Sequence, residues 1–272
     1  MEFSCPICGL PLNDGGIKQR ICPRGHSFDR AKEGYINLLV GGKGGTHGDN
    51  REMVEARRKF LSLGHYRPLA ERVRDHALSA TPKGGVVLDL GAGEGYYTST
   101  VADAIWGRDG CANIMAIDIS KDAVKVLSKK IPIARCAVAS CYKLPIETSS
   151  VDCLVLLFSP LAVTEIRRVM KPRAKFIMAF PDERHLWGLK EAIYDEPYLN
   201  KPLSTEIEGF RIISDELLEY KITLSGKAEI ESLFKMTPYA YRTGAKERER
   251  LESLDSLTTD IAFRIVVYEK LP

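Results

Sequence analysis

Two groups of residues in this 272-residue chain have types and spacings that do chemistry. The first is Cys5-x2-Cys8-x13-Cys22-x3-His26. Two cysteines three apart on one turn, facing a Cys and a His four apart on another, close a tetrahedral Zn2+ site, and four protein ligands leave no position for a reactive water. The predicted metal is therefore structural. The segments around it are short apolar pieces between turns (Asn13-Asp14-Gly15-Gly16 and Arg24-Gly25). Pieces this small do not fold on a core of their own, so the metal is the staple that holds them.

The second group is Val86-Val87-Leu88-Asp89-Leu90-Gly91-Ala92-Gly93-Glu94-Gly95-Tyr96, a buried-strand pattern running directly into a glycine turn. Glycines there allow positive φ and let a ligand approach the backbone. The spacing is G-x-G-x-G after an Asp rather than the G-x-G-x-x-G of dinucleotide binders, which disfavours a pyrophosphate. A carboxylate at Asp89 attracts a cation and repels phosphate, so the cationic donor S-adenosylmethionine fits better than NAD. Asp118 stands 23 residues after Gly95, at the end of the IMAID run, where an acidic group accepts hydrogen bonds from ribose hydroxyls.

The elements that must position these residues are legible in outline. VVLDL (86–90), IMAIDI (114–119), CLVLLF (153–158) and KFIMAF (175–180) are short apolar runs separated by helix-length segments. Strands alternating with helices predict an α/β fold with a doubly wound, mostly parallel sheet, and the lack of strict alternation predicts cover on both faces. Two helices are expected over residues 51–80, broken at Gly64 and Pro68. The later chain predicts a helix and a loop within 181–224, a strand near Tyr220–Leu224, helices near Ala228–Phe234 and through 245–254, and a final strand at Ile261–Tyr268. Three units are expected: a zinc-binding module at 1–40, a glycine-rich linker with lead-in helices at 41–80, and a donor-binding domain at 81–272.

Seven cysteines, an odd number with three crowded into a metal pattern, argue for a reduced compartment rather than disulfides. No run approaches a bilayer span and the first residues lack a signal-peptide layout, so the cytoplasm is the expected location and no membrane partner is expected. Residues 1–85 carry 14 Lys/Arg against 9 Asp/Glu, whereas 86–272 carry 25 against 27. A basic front on a near-neutral domain suits a polyanionic substrate, since phosphate contacts supply much of the affinity for nucleic acid. Arg20, Arg24, Arg30 and Lys32, with Phe28 and Tyr35 among them, form a surface of the kind that grips a phosphate backbone and stacks a base. Composition leaves equally open a solvated face whose aromatics belong to the core.

Across residues 50–272 the chain resembles the class I S-adenosylmethionine-dependent methyltransferases, with VLDLGAGEG as the most diagnostic match. That resemblance implies that Gly91, Gly93 and Glu94 line the donor, that Asp118 holds its ribose, and that Ser140 stands beside the adenine. Arg173-Ala174 departs from the usual Gly-Gly turn. The zinc ligands, Ser27-Phe28-Asp29, the run Ala31–Leu38, Ala56-Arg57-Arg58, Gly64-His65-Tyr66, Arg184-His185-Leu186 and Met236-Thr237-Pro238-Tyr239 together resemble the bacterial 23S rRNA guanine-N1 methyltransferases. Members of that family modify one guanosine in hairpin 35 of 23S rRNA. The resemblance implies zinc on Cys5, Cys8, Cys22 and His26 and donor contacts at Tyr66, Gly93, Glu94 and His185. Read without it, His185 is a surface residue at a helix start and Tyr66 equally a core aromatic.

Methyl transfer from a sulfonium is an in-line displacement, so alignment and water exclusion are the enzyme's main tasks. Phe158-Ser159-Pro160-Leu161 replaces the Asn/Asp-Pro-Pro-aromatic segment of many exocyclic-amine methyltransferases, which disfavours an amino-group acceptor and is compatible with a ring nitrogen. The sequence names no proton acceptor, leaves the oligomeric state open with a homodimer among the options, and leaves two alternatives: a small-molecule methyltransferase and a non-catalytic zinc-ribbon RNA-binding protein.

Overall fold

The computed structural model describes residues 2–16, 18–41, 48–241 and 243–272. Most of the expected glycine-rich linker, residues 42–47, lies outside the described residues. Strands β1 (Asn13–Asp14), β2 (Gln19–Ile21) and β3 (Ser27–Asp29) form a small antiparallel sheet, and β4 (Ile36–Asn37) leaves it for the main one. Helices α1 (Arg51–Ser62) and α2 (Arg67–Ala80) lead into β5 (Val86–Leu90), α3 (Tyr96–Asp109), β6 (Asn113–Asp118), α4 (Lys121–Lys130) and β7 (Arg135–Val138). There follow β8 (Val151–Leu157), α5 (Val163–Val169), β9 (Met170–Pro181), α6 (Trp187–Ile193), β10 (Phe210–Ser225), α7 (Lys227–Lys235), a 3-10 turn (Pro238–Tyr241), α8 (Ala245–Glu252) and β11 (Ser256–Lys270).

Local chemistry sets these boundaries. Asn50 caps α1 by accepting from Met53 N at 3.0 Å, Ser120 caps α4 by accepting from Ala123 N at 3.2 Å, and Pro68 occupies the first turn of α2, where its missing N–H costs nothing. Gly64 at φ +82° separates α1 from α2.

The eight-stranded sheet has the order β10-β11-β9-β8-β5-β6-β7-β4. β10 and β11 pair antiparallel, as do β11 and β9, and every other pairing is parallel. The chain builds outward from β5 to β7, then returns to β8 on the other side of β5. The crevice at the carboxyl ends of β5 and β8 is thus the switch point where such sheets bind ligands. Val87 faces a core shared with Phe60, Leu69, Val101 and Phe263, while Leu88 faces the opposite core with Met115, Leu154 and Phe176, so both faces are covered. Among the described residues no helix is long and apolar enough to cross a membrane.

The amino-terminal module is continuous with this body. Ile36 and Asn37 pair in parallel with Ala137 and Val138, Ser4 N donates to Pro145 O at 2.8 Å, and Phe3, Leu12, Ile36 and Leu38 are buried in the same cluster as Met115 and Leu154. β4, β7, β9, β10 and β11 differ from expectation, β9 and β11 running beyond 175–180 and 261–268 at both ends. β7 was hidden because four residues give no readable periodicity. β10 runs for 16 residues rather than five, because its outward positions (Asp215, Glu219, Lys221) are charged edge positions that mask the strand pattern.

Candidate active site and metal centre

The loop after β5 has the conformation its glycines allow, with Gly91, Gly93 and Gly95 at φ +79°, +56° and +84°. They serve different ends. A Cβ on Gly91 would lie 2.1 Å from Ser159 Oγ, and one on Gly95 2.4 Å from a Leu127 methyl, so both are fixed by packing. A Cβ on Gly93 would meet nothing within 4 Å. Open space above a left-handed glycine is where a ligand can touch backbone.

Asp118, at the end of β6, holds this loop: Oδ2 accepts from Gly93 N at 2.8 Å and Oδ1 from Ser120 N at 2.8 Å. Each oxygen keeps acceptor capacity for a ribose hydroxyl. Burial pushes its carboxyl above the ordinary value, against the hydrogen bonds that lower it. Ser140 lies just beyond β7, where Ala139 N donates to Asp118 O at 3.1 Å, and its Oγ accepts from Tyr142 N at 3.2 Å. Asp89 is buried beneath the loop, accepts from Thr98 Oγ1 at 2.6 Å, and is pushed by desolvation up to about 7. Glu94 is buried with its carboxylate 3.4 Å from Lys130 Nζ.

Tyr66 and His185 meet on the other side, with Tyr66 Oη 3.2 Å from His185 Nε2. Nδ1 of His185 accepts from Ala262 N at 3.2 Å, so the proton sits on Nε2 and is donated to Tyr66. Both side chains are buried, contrary to a surface placement of His185, and burial drives its imidazole down to about 3. The ring of Phe263 packs 4.4 Å from His185 and 4.9 Å from Tyr66, Phe158 lies 5.4 Å from Phe263, and Tyr97 lies 6.2 Å from Phe158. An aromatic wall therefore runs from the Tyr66–His185 pair to the first turn of α3. Tyr97 Oη is buried with no hydrogen-bond partner among the described residues, a polar atom that a bound ligand would satisfy.

The structure thus gathers Gly91, Gly93, Asp118 and Ser140 at one end of the crevice and Tyr66 with His185 at the other. The sequence does not single out Thr98 or Phe263, and it marks Phe158 only as the first residue of Phe158-Ser159-Pro160-Leu161. Thr98 is traceable as a hydroxyl one turn into the helix after a glycine loop. Phe263 has no local signal, since it sits within an apolar strand. Arg173, where a Gly-Gly turn was expected, adopts φ +64°, the backbone region that a glycine there would favour.

The metal ligands converge as spaced. Cys5 and Cys8 lie on a turn closed by Gly9 N to Cys5 O at 2.8 Å, and Cys22 and His26 on one closed by Gly25 N to Cys22 O at 2.8 Å. Cys8 Sγ is 3.6 Å from Cys22 Sγ, and His26 Nδ1 is 3.5 and 3.3 Å from the sulfurs of Cys5 and Cys22. All four ligand atoms lie within 4.8 Å of one another. Zn–S and Zn–N bonds in a tetrahedron give ligand separations of about 3.5–3.8 Å, so the cluster fits zinc. Burial opposes ionisation of Cys22, yet backbone N–H groups of His26 and Arg24 outweigh it and bring the thiol to about 6. Arg24, Arg30 and Lys32 are exposed around the cluster, Phe28 is half-buried, and Tyr35 is buried in the main core, which removes Tyr35 from any stacking surface.

Comparison with known proteins agrees with this geometry. Residues 3–42 match the family described as RlmA, N-terminal, a zinc ribbon, and residues 88–178 match the family described as methyltransferase domain. A Micromonospora griseorubida protein provisionally named a 23S rRNA (guanine-N(1)-)-methyltransferase is 31% identical over 99% of this chain and 98% of its own length. The 23S rRNA (guanine(748)-N(1))-methyltransferase of Streptomyces fradiae is 34% identical over 70% of this chain and 66% of its own. YxjB of Bacillus subtilis, provisionally named a 23S rRNA (guanine-N(1)-)-methyltransferase, is 30% identical over 95% of this chain and 94% of its own length. The donor for the methyltransferase domain is S-adenosylmethionine, and the zinc is structural. With near-full-length relatives at 30% and 31% identity and both site-bearing segments matched, the chain belongs to the 23S rRNA (guanine-N1) methyltransferase family.

Proposed function

We propose that the chain methylates N1 of one guanosine in hairpin 35 of 23S rRNA, in the cytoplasm. The observation that carries this reading is the fusion of the zinc module to the donor domain. β4 extends the same sheet beside β7, and the chain leaves β4 at the end where Asp118 and Ser140 stand, with Leu38 N donating to Val138 O at 2.8 Å. A zinc module built into that edge, with Arg24, Arg30 and Lys32 exposed on it, serves an acceptor too large for the crevice alone, which a ribosomal RNA is and a small metabolite is not.

Gly91, Gly93, Asp118, Ser140, Tyr66 and His185 would hold the donor, with Asp89 beneath the loop supplying negative charge. Bound S-adenosylmethionine supplies an electrophilic methyl carbon on a sulfonium. Asp118 fixes the loop through Gly93 N and orients the ribose. Asp89, pushed up to about 7 when alone, favours a cation beside it, since a positive charge lowers the cost of its ionised form. His185 stays neutral at physiological pH and keeps Tyr66 oriented as a wall rather than a base. N1 of guanine forms the new N–C bond, the S–C electron pair returns to sulfur, and the N1 proton leaves to solvent or a nearby group. Incubation with protein-free 23S rRNA and radiolabelled donor tests the reading. Label in RNA that falls steeply with salt is expected, and label only in small metabolites refutes it.

A further inference from the structure

Phe158, immediately after β8, sits at φ +55°, in the left-handed backbone region that is strained for an L-residue. Strain of this kind is retained where the surrounding structure enforces it and gathers at ligand clamps. Here the enforcement is visible: Phe158 N donates to Ala179 O at 3.2 Å, and Ser159 fits under Gly91, whose missing side chain makes room for it. The consequence is an aromatic ring 46% exposed at the mouth of the switch-point crevice. Its inner side rests on Phe263 and Tyr97, and Phe263 is fully buried, so the ring leans on a fixed wall. Its outer side is open, and Leu161 on the same segment is also exposed.

A flat apolar face held in a strained but fixed pose beside the donor loop suits a planar heterocycle taken out of its stack. Bases in RNA are recognised when unstacked and laid on aromatic side chains, because every base offers a π-face. We propose that Phe158 is the stacking platform for the acceptor guanine. It binds the base and sets its plane, while the N1 edge is left to face the crevice. The proposal rests on the rRNA methyltransferase reading above and deepens it.

The test uses the zinc-loaded full chain and two hairpin 35 RNAs, one intact and one abasic at the guanosine that the wild-type protein methylates. Base–aromatic stacking lost on alanine substitution corresponds to a weakening of roughly 5- to 150-fold. Phe158→Ala is expected to weaken binding of the intact hairpin by that amount and of the abasic hairpin by less than about twofold, with Phe158→Tyr restoring binding. Its affinity for S-adenosylmethionine by calorimetry is expected to stay at the wild-type value, which also certifies the fold. Equal losses on both RNAs, no loss on either, or a donor affinity that falls in step with RNA affinity would overturn the proposal. Failure of the wild-type protein to methylate any 23S rRNA fragment refutes the underlying reading; normal wild-type methylation with equal losses refutes the role of Phe158 alone.

Discussion

Gly93 and Gly91 are two residues apart and both left-handed, yet they should fail in opposite ways when given a methyl group. At Gly93 a Cβ meets nothing within 4 Å, so Gly93→Ala carries only the backbone strain of φ +56°. That is roughly 1–2 kcal/mol, a Tm fall of roughly 2–8 °C for a domain of this size. The methyl, however, fills the open face of the loop, and donor affinity should drop by at least about tenfold, or ~1.4 kcal/mol. At Gly91 the added Cβ falls 2.1 Å from Ser159 Oγ and 2.5 Å from Ser159 Cβ. Overpacking of this sort adds roughly 1–3 kcal/mol to the same backbone strain, so Gly91→Ala should lose roughly 2–5 kcal/mol of stability. Pairing it with Ser159→Gly removes the clash and leaves the strain, so the double variant should recover the overpacking part. Thermal unfolding and calorimetry with S-adenosylmethionine on the same preparations read both quantities. A Gly93→Ala protein that binds the donor within about twofold of wild type refutes the assignment of this loop as the donor seat.

Two buried titrating groups should give opposite pH signatures. Asp89, raised to about 7 from an unfolded value near 3.8, contributes stability present below pH 3.8 and lost as pH rises to 7. His185, lowered to about 3 from 6.5, contributes stability present above pH 6.5 and lost as pH falls to 3. Between pH 4 and 6.5 the two slopes oppose each other at about 1.4 kcal/mol per pH unit each. Relative to wild type, urea melts of Asp89→Asn should therefore gain stability as pH rises and those of His185→Gln should lose it; curves parallel to wild type would contradict both pKa directions. In the metal centre, Cys22→Ala should abolish zinc by elemental analysis and RNA methylation with it, while donor affinity stays within about threefold of wild type. Full RNA methylation without zinc would show the module to be dispensable.

The residues that do chemistry were legible because their chemistry dictates spacing. Four metal ligands must sit on two tight turns, and a donor loop must place glycines at positive φ between a strand and a helix. Both patterns survive in one dimension. The lead-in helices were legible through Gly64 and Pro68, and the four inner strands through their unbroken apolar runs. What stayed hidden depends on contacts distant in sequence. His185 is buried only because Ala262 and Tyr66, 77 and 119 residues away, meet its two nitrogens. β4 became part of the main sheet because Ile36 finds Ala137, which no local pattern announces. Tyr35, interleaved with basic residues, looked available for stacking and is instead buried in the main core, a burial that only the folded chain reveals.

The central claim is that this chain places a methyl group on N1 of a guanosine in 23S rRNA. Methylation at N1 blocks the pairing edge, so primer extension across hairpin 35 tests it directly on protein-free RNA incubated with the chain and S-adenosylmethionine. A polymerase stop is expected next to a single guanosine, and it should vanish when the donor is omitted or Gly93 is replaced by Ala. Read-through identical with and without the protein, under conditions where calorimetry shows the donor bound, would contradict it.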